Sequence, residues 1–238
     1  MGHSLCRRSV GYSVLVGHRT DSGAFDYKDL MYYTHERKER QYVGPRPEMP
    51  EQSDVLIGHM RRYLLSRHLS FSLASVNGWF PSFYQNAKRI IIPCSNSLGV
   101  PYFQGRAMSD DAVIRYASPP AARDDSIVLC WPKDKALGML ICEGPMDALA
   151  AAGIGLLGVG IMGNQPNNVV LDYVALYARG FAPVRVLPDQ DALHFGASVV
   201  SGLAQRRILC RAIEPRAKDL AVMGMSERRE LLQEAGVL

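Results

Sequence analysis

The chain has 238 residues, of which 47% are apolar and 21% charged, with a formal net charge of +4. That is the length of one large or two small globular domains and an ordinary globular composition, and no apolar run is long enough to span a bilayer. The charge is a mild hint of polyanion binding and no more. The N-terminus is basic but lacks an apolar stretch behind it, so no signal peptide is expected. Cys6, Cys94, Cys130, Cys142 and Cys210 form no C-x-x-C pair, which argues against a zinc ribbon within the chain. Four of them lie in apolar runs and read as buried free thiols of a cytoplasmic protein.

Residues 1–52 read as an irregular segment. YSVLVGH is a possible strand, and the Pro-rich GPRPEMPEQ a linker. Residues 53–136 form a second region. It opens with a helix capped by Ser53 or Asp54, in which Val55, Leu56, Met60, Tyr63 and Leu64 recur at helical spacing. Arg61, Arg62 and Arg67 give that helix a basic side. Trp79, Phe80, Phe83 and Tyr84 form an aromatic patch suited to core packing or to stacking on bases. RIIIPC, VPYFQGRA, AVIRYAS and SIVLCWP follow as short strands of a mixed or antiparallel sheet.

From 137 to 238 the pattern alternates β and α. The strands are MLICEG, GLLGVG, APVRVLPDQD and RRILCRAI, and the helices are PMDALAAAG, QPNNVVLDYVALYARG, ALHFGASVVSGLAQ and MSERRELLQEAG. Ser226 with Glu230 and its neighbours suggests the cap of the last helix. This alternation implies a parallel sheet with helices on its faces. The fold class is α/β overall, with a strand-rich α+β subdomain followed by a Rossmann-like sheet.

Sites in such sheets form beyond the carboxyl ends of the strands. Glu143 follows one strand directly, and Asp189 and Asp191 follow another. If those strands are neighbours, three carboxylates converge there, and oxygen-rich clusters suit Mg²⁺ or Mn²⁺. Asp147 lies one helical turn after Glu143. Alone it reads as a helix N-terminal charge, and with the others it can join the rim. His194 beside the acids reads as structural.

ICEGPMDALAAAG, GLLGVGIMGNQ and VLPDQD together resemble the successive motifs of the Toprim domain. Upstream, YLLSRHLS and RIIIPCSNSLGVPYFQGRAMSDDAVIRYASP resemble the catalytic core of bacterial and phage DNA primases. KDLAVM, with Lys218 and Asp219, resembles the Lys-Asp segment after the last Toprim strand.

The resemblance implies template-directed RNA primer synthesis on single-stranded DNA from ribonucleoside triphosphates. Asp189 and Asp191 would bind the ion, Glu143 would serve as ligand or general base, and Asp147 would support them. Arg89, Arg106, Arg115 and Lys218 would hold template or nucleotide phosphates. Two other readings share these acids: a Toprim-type nuclease, and a DNA-binding replication or recombination adaptor without chemistry. No G-x-x-x-x-G-K-[ST] sequence is present, so a helicase motor or a zinc-bearing primase subunit would come from another chain.

Overall fold

In the computed structural model the described residues are 46–96, 99–109, 111–120, 126–162 and 166–237. All of them belong to one compact unit, Tyr42–Leu238. The YSVLVGH strand, Cys6 and most of the irregular first segment lie outside the described residues, as do parts of the MSDD, SPPAARDD and MGNQ turns.

The chain enters through a 3-10 turn, Asp54–Leu56, that leads into helix α1, Ile57–Leu65. Met60, Tyr63 and Leu64 are its buried residues, at the spacing that puts them on one face. The expected cap is absent: Ser53 makes no side-chain cap bond, and Asp54 instead accepts from Gln52 at 2.8 Å. A second helix, α2 (Phe71–Val76), was not evident in the sequence. It is short and starts where the Ser70 hydroxyl accepts from the Leu73 N–H at 3.2 Å.

The aromatic stretch then proves to be a strand, β1 (Phe80–Tyr84), paired antiparallel with β2 (Ala87–Cys94). Gln85 and Asn86 between them both have positive φ, 47° and 56°, as a two-residue hairpin with right-handed strand twist requires. Strands β3 (Tyr102–Ala107) and β4 (Tyr116–Ala117) complete an antiparallel sheet of order β1-β2-β3-β4. Of the expected strand AVIRYAS only Tyr116 and Ala117 pair in the sheet.

The second sheet holds β5 (Ile127–Cys130), β6 (Met139–Cys142), β7 (Leu157–Ile161), β8 (Val184–Leu187) and β9 (Cys210–Ala212), in the order β5-β7-β6-β8-β9. Four strands are parallel, as the alternation predicts, and β5 runs antiparallel along the edge. SIVLCWP, which reads with the upstream strands, thus pairs in the downstream sheet. The two sheets meet at a bridge between Ser95 and Ile127, with N···O distances of 2.8 Å in both directions.

Helices α3 (Pro145–Gly153), α4 (Asn168–Ala178), α5 (Leu193–Ala204) and α6 (Met225–Glu234) cover the sheet, with a 3-10 turn at Leu220–Val222 before α6. The Gly224 N–H at the start of α6 donates to the Glu227 carboxylate at 2.6 Å. That bond caps the helix where Ser226 and Glu230 were expected to.

Alternation along β6 divides the interior in two. Leu140 and Cys142 join a core with Met60, Leu64, Trp79, Ile90, Ala148 and Leu232. Met139 and Ile141 face the other core, with Val170, Val174, Phe195 and Leu203. Both faces of β6 are therefore apolar, which is why the strand reads as a continuous hydrophobic run. Cys130, Cys142 and Cys210 are buried thiols and Cys94 is half-buried, as their apolar settings suggest. Burial pushes the Cys142 thiol well up, away from reactivity. Among the described residues no helix is long and apolar enough to cross a membrane.

Candidate active site

Strands β6 and β8 are direct neighbours, with Cys142 opposite Leu187. Their carboxyl ends therefore deliver Glu143 and Asp189 side by side. The Asp189 backbone N–H donates to Glu143 Oε1 at 3.3 Å, so the two turns are tied through one of the acids. Asp191 is exposed in the same turn, and the Ala192 N–H closes that turn onto the Asp189 carbonyl at 3.0 Å. The Gln190 N–H donates to the Lys218 carbonyl at 3.2 Å, joining the segment after β9 to the same rim.

Asp147 is buried on the first turn of α3, 7% exposed. Its Oδ1 accepts from the Ala221 N–H at 2.9 Å. Asp219 caps the 3-10 turn that carries that amide, accepting from the Val222 N–H at 3.0 Å. Asp219 had no assigned site role in the sequence. Its charge nevertheless bears on both Asp147 and Asp189, so it belongs to the acid group.

Glu143, Asp147 and Asp189 hold their protons more tightly than ordinary carboxylates, because of burial first and neighbouring charge second. Asp189 is pushed up to about 7, first by burial and then by the charges of Glu143, Asp219 and Asp191, with Lys218 opposing. Burial also raises Glu143. Its bond from the Asp189 N–H opposes the shift, Asp191 reinforces it, and His194 opposes it. Asp147 is pushed up to about 7, first by burial and then by Asp219 and Asp189.

Among the described residues no three carboxylate, imidazole or thiol groups close into a ready-made metal cage. The acids form an open rim. Their chemistry still fits a hard divalent cation: every donor is a carboxylate oxygen, and their mutual repulsion is what a cation would relieve. Glu143, Asp189 and Asp191 are the residues that would hold one, with Asp147 and Asp219 in support.

The expected basic residues fall into different environments. Arg106 is buried. Its Nε donates to the Tyr63 hydroxyl at 2.7 Å, and its guanidinium lies 4.8 Å from the Tyr116 ring centroid. The Tyr116 hydroxyl is pushed up to about 12, by burial first, with Arg106 opposing and the Asp147 charge reinforcing. Asp147, on α3 over the second sheet, thus bears electrostatically on Tyr116 of the antiparallel sheet. Arg89 is also buried, and donates to the carbonyls of Tyr84, Gly105 and Ile114 at 3.0, 3.0 and 3.1 Å. It pins the loop before β4 rather than facing outward. Arg115, one residue beyond Ile114, and Lys218 are exposed. Trp79 is core, whereas Phe83 is exposed. A cavity of about 550 Å³ between α2, β2 and β5 is lined by Val76, Asn77, Pro93, Trp131 and Lys133, and none of the acids reaches it.

The acids give a pH dependence with a definite sign. An aspartate in an unfolded chain titrates near 4. Between about 4 and 7 the folded chain therefore holds the Asp147 proton more tightly than the unfolded one. That stabilisation is complete below about pH 4 and is lost as the pH rises through about 7. The metal-free protein is expected to be less stable at about pH 8 than at about pH 5. Asp147→Asn is expected to flatten that slope and to raise metal-free stability at about pH 8 by on the order of 1–3 kcal/mol. Urea titrations at the two pH values check it, and an unchanged slope in the variant would count against the buried charge.

No family model matches the chain, and no curated protein matches it by sequence. Solved structures do. The primase fragment of the bacteriophage T7 primase-helicase protein aligns with a TM-score of 0.54 at 16% identity, over 82% of this chain and 82% of that one. A second match is a chain from the structure of bacteriophage T7 lagging-strand DNA polymerase interacting with primase domains bound to an RNA/DNA hybrid and dTTP. It has a TM-score of 0.52 at 16% identity, over 71% of this chain and 87% of that one. The chain has the fold of a phage-type primase core.

Proposed function

We propose that this chain is the catalytic core of a DNA primase, which joins ribonucleotides on a single-stranded DNA template. The observation that carries this reading is the meeting of Glu143 and Asp189 at the ends of neighbouring parallel strands, in a chain with the fold of a phage-type primase core. A nuclease needs the acids alone. A primase also needs a second surface to hold template and nucleotide, and the upstream sheet offers one.

In the reaction the 3′-oxygen of one nucleotide bonds to the α-phosphorus of the next, and pyrophosphate leaves. A bound Mg²⁺ or Mn²⁺ would lower the pKa of the attacking hydroxyl and screen the triphosphate. Asp189 and Asp191 would hold that ion. Glu143 has Oε1 engaged by the Asp189 N–H, so Oε2 serves either as a further ligand or as the acceptor of the hydroxyl proton. Arg115 and Lys218 contact phosphates. Arg106 and Arg89, both buried, shape the surface that presents them. A replicative helicase or a zinc-bearing primase subunit is the partner this core would work with, in a reducing cytoplasm.

The deciding experiment measures labelled-ribonucleotide incorporation on single-stranded DNA with Mg²⁺ or Mn²⁺, with and without a zinc-bearing or helicase partner. Template-dependent incorporation with no cleavage above background is expected. Cleavage that needs Asp191, without incorporation under any partner condition, would overturn the primase reading in favour of a nuclease.

Exposed Arg115 gives a separate check. Arg115→Ala is expected to lower the salt dependence of single-stranded DNA binding by about one unit of slope or less, because one phosphate contact is lost. An unchanged slope would leave Arg115 as a solvated surface charge.

A further inference from the structure

Arg228, on α6, is 1% exposed and heads the fully buried side chains by volume. Nε donates to the Leu220 carbonyl at 2.9 Å, and Nη2 to those of Ala221 at 2.9 Å and Arg67 at 3.2 Å. Nη1 donates to the His68 carbonyl at 3.0 Å. None of these four acceptors is a carboxylate. Burying the guanidinium is costly, and the charges of Asp147, Asp219 and Glu227 act against that cost.

The four carbonyls come in two pairs with different jobs. Leu220 and Ala221 form the turn whose N–H groups reach Asp147 and Asp219: Ala221 donates to Asp147, and Val222 to Asp219. Arg67 and His68 close the turn after α1, with His68 in the left-handed region at φ 54°. One planar side chain thus sets the turn beneath the acid rim against the turn that ends the upstream helix. A guanidinium presents several donors in a fixed fork, which a lysine ammonium does not.

We infer that Arg228 is a positioning residue for the acid rim: it fixes the Leu220–Ala221 turn so that Asp147 and Asp219 are held in support of the ion-binding Glu143, Asp189 and Asp191, and it makes the placement of that supporting pair depend on the upstream Arg67–His68 turn. This rests on the reading of those acids as metal-holding. The groups around the ion are oriented by partners behind them, and losing such a partner commonly weakens metal affinity by roughly 10–100-fold.

The test uses the full chain and two variants. Arg228→Lys keeps a charge but loses the fork. Insertion of one glycine between Arg67 and His68 keeps Arg228 and withdraws two of its acceptors from the other side. Mn²⁺ binding is followed by electron paramagnetic resonance, and exchange of the Ala221 amide by mass spectrometry or NMR. Both variants are expected to melt cooperatively, to bind Mn²⁺ about ten-fold or more weakly than the unaltered protein, and to exchange the Ala221 amide at least about ten-fold faster. If Arg228→Lys does not melt cooperatively, the insertion variant decides. Folded variants with unchanged Mn²⁺ affinity and unchanged Ala221 exchange overturn the inference. So does loss of cooperative melting in both, which would make Arg228 a clasp of the fold alone. An unaltered protein that binds no Mn²⁺ overturns the metal reading itself, and the inference with it.

Discussion

Glu143→Gln and Asp189→Asn are each expected to lower metal-dependent nucleotide incorporation by about 10²–10³-fold, roughly 3–4 kcal/mol of transition-state stabilisation. Both substitutions keep the size and hydrogen-bonding shape of the side chain while removing its charge. The Asp189 backbone N–H still has an amide oxygen to meet at position 143, so the tie between the two turns survives. Stability should not fall either. In the metal-free protein these acids repel one another and are partly buried, so deleting one charge relieves strain of its own making. The variants are therefore expected to melt at or above the temperature of the unaltered protein while losing activity. Near-normal incorporation in either would remove that carboxylate from the chemistry.

Gly158→Ala is expected to cost about 4 kcal/mol or more of stability, at the upper end of single-residue effects. A Cβ built at Gly158 on β7 would lie 1.9 Å from the Ala148 carbonyl oxygen and 2.6 Å from its carbon. These are backbone atoms in the middle of α3, and no side chain is there to turn aside. A Cβ on Gly160, two residues along the same strand face, would lie 2.9 Å from the Gly144 oxygen. Helix α3 lies against the strand along these two glycines, and it carries Asp147. Pushing it away would disturb the core and the rim together. Gly153→Ala is the matched control: the nearest atoms are flexible side-chain ends at 3.9 and 4.0 Å, and a change within about 1 kcal/mol is expected. Urea titration of the two variants gives the comparison. A Gly158→Ala protein as stable as the control would mean that α3 moves off the strand at little cost.

What the sequence disclosed was the part of the fold written in long, regular patterns. Buried parallel strands are apolar on both faces, so MLIC and VRVL stand out, and the acids that follow them are found by position alone. The elements that escaped are short or governed by local backbone chemistry. FPSFY has no clean two-residue period, and its strand is specified by the hairpin turn at Gln85–Asn86, whose residue types are ordinary. SIVLC is strand-like in either sheet, and only tertiary pairing decides which one it joins. For the arginines, sequence gives the residue type but not the direction of the side chain. Arg89 and Arg106 lie in strand stretches whose successive residues are all buried, and both turn onto carbonyls or phenols. Asp219 was visible beside Lys218, but its place among the acids depends on a 3-10 turn that no periodicity announces.

The bridge between Ser95 and Ile127 has a consequence for inheritance. The change of pattern near residue 137 looks like a seam between modules, yet Ile127, bridged to Ser95, lies on β5, which pairs with β7 beyond that seam, and the core on one face of β6 draws residues from both sides. Met60, Trp79 and Ile90 pack in the same interior as Leu140, Ala148 and Leu232. Neither stretch could be exchanged for a relative's by recombination at that seam without mismatching the shared interior. A change of volume on one side of this shared interior is felt on the other, and the seam in the sequence is no seam in the folded protein.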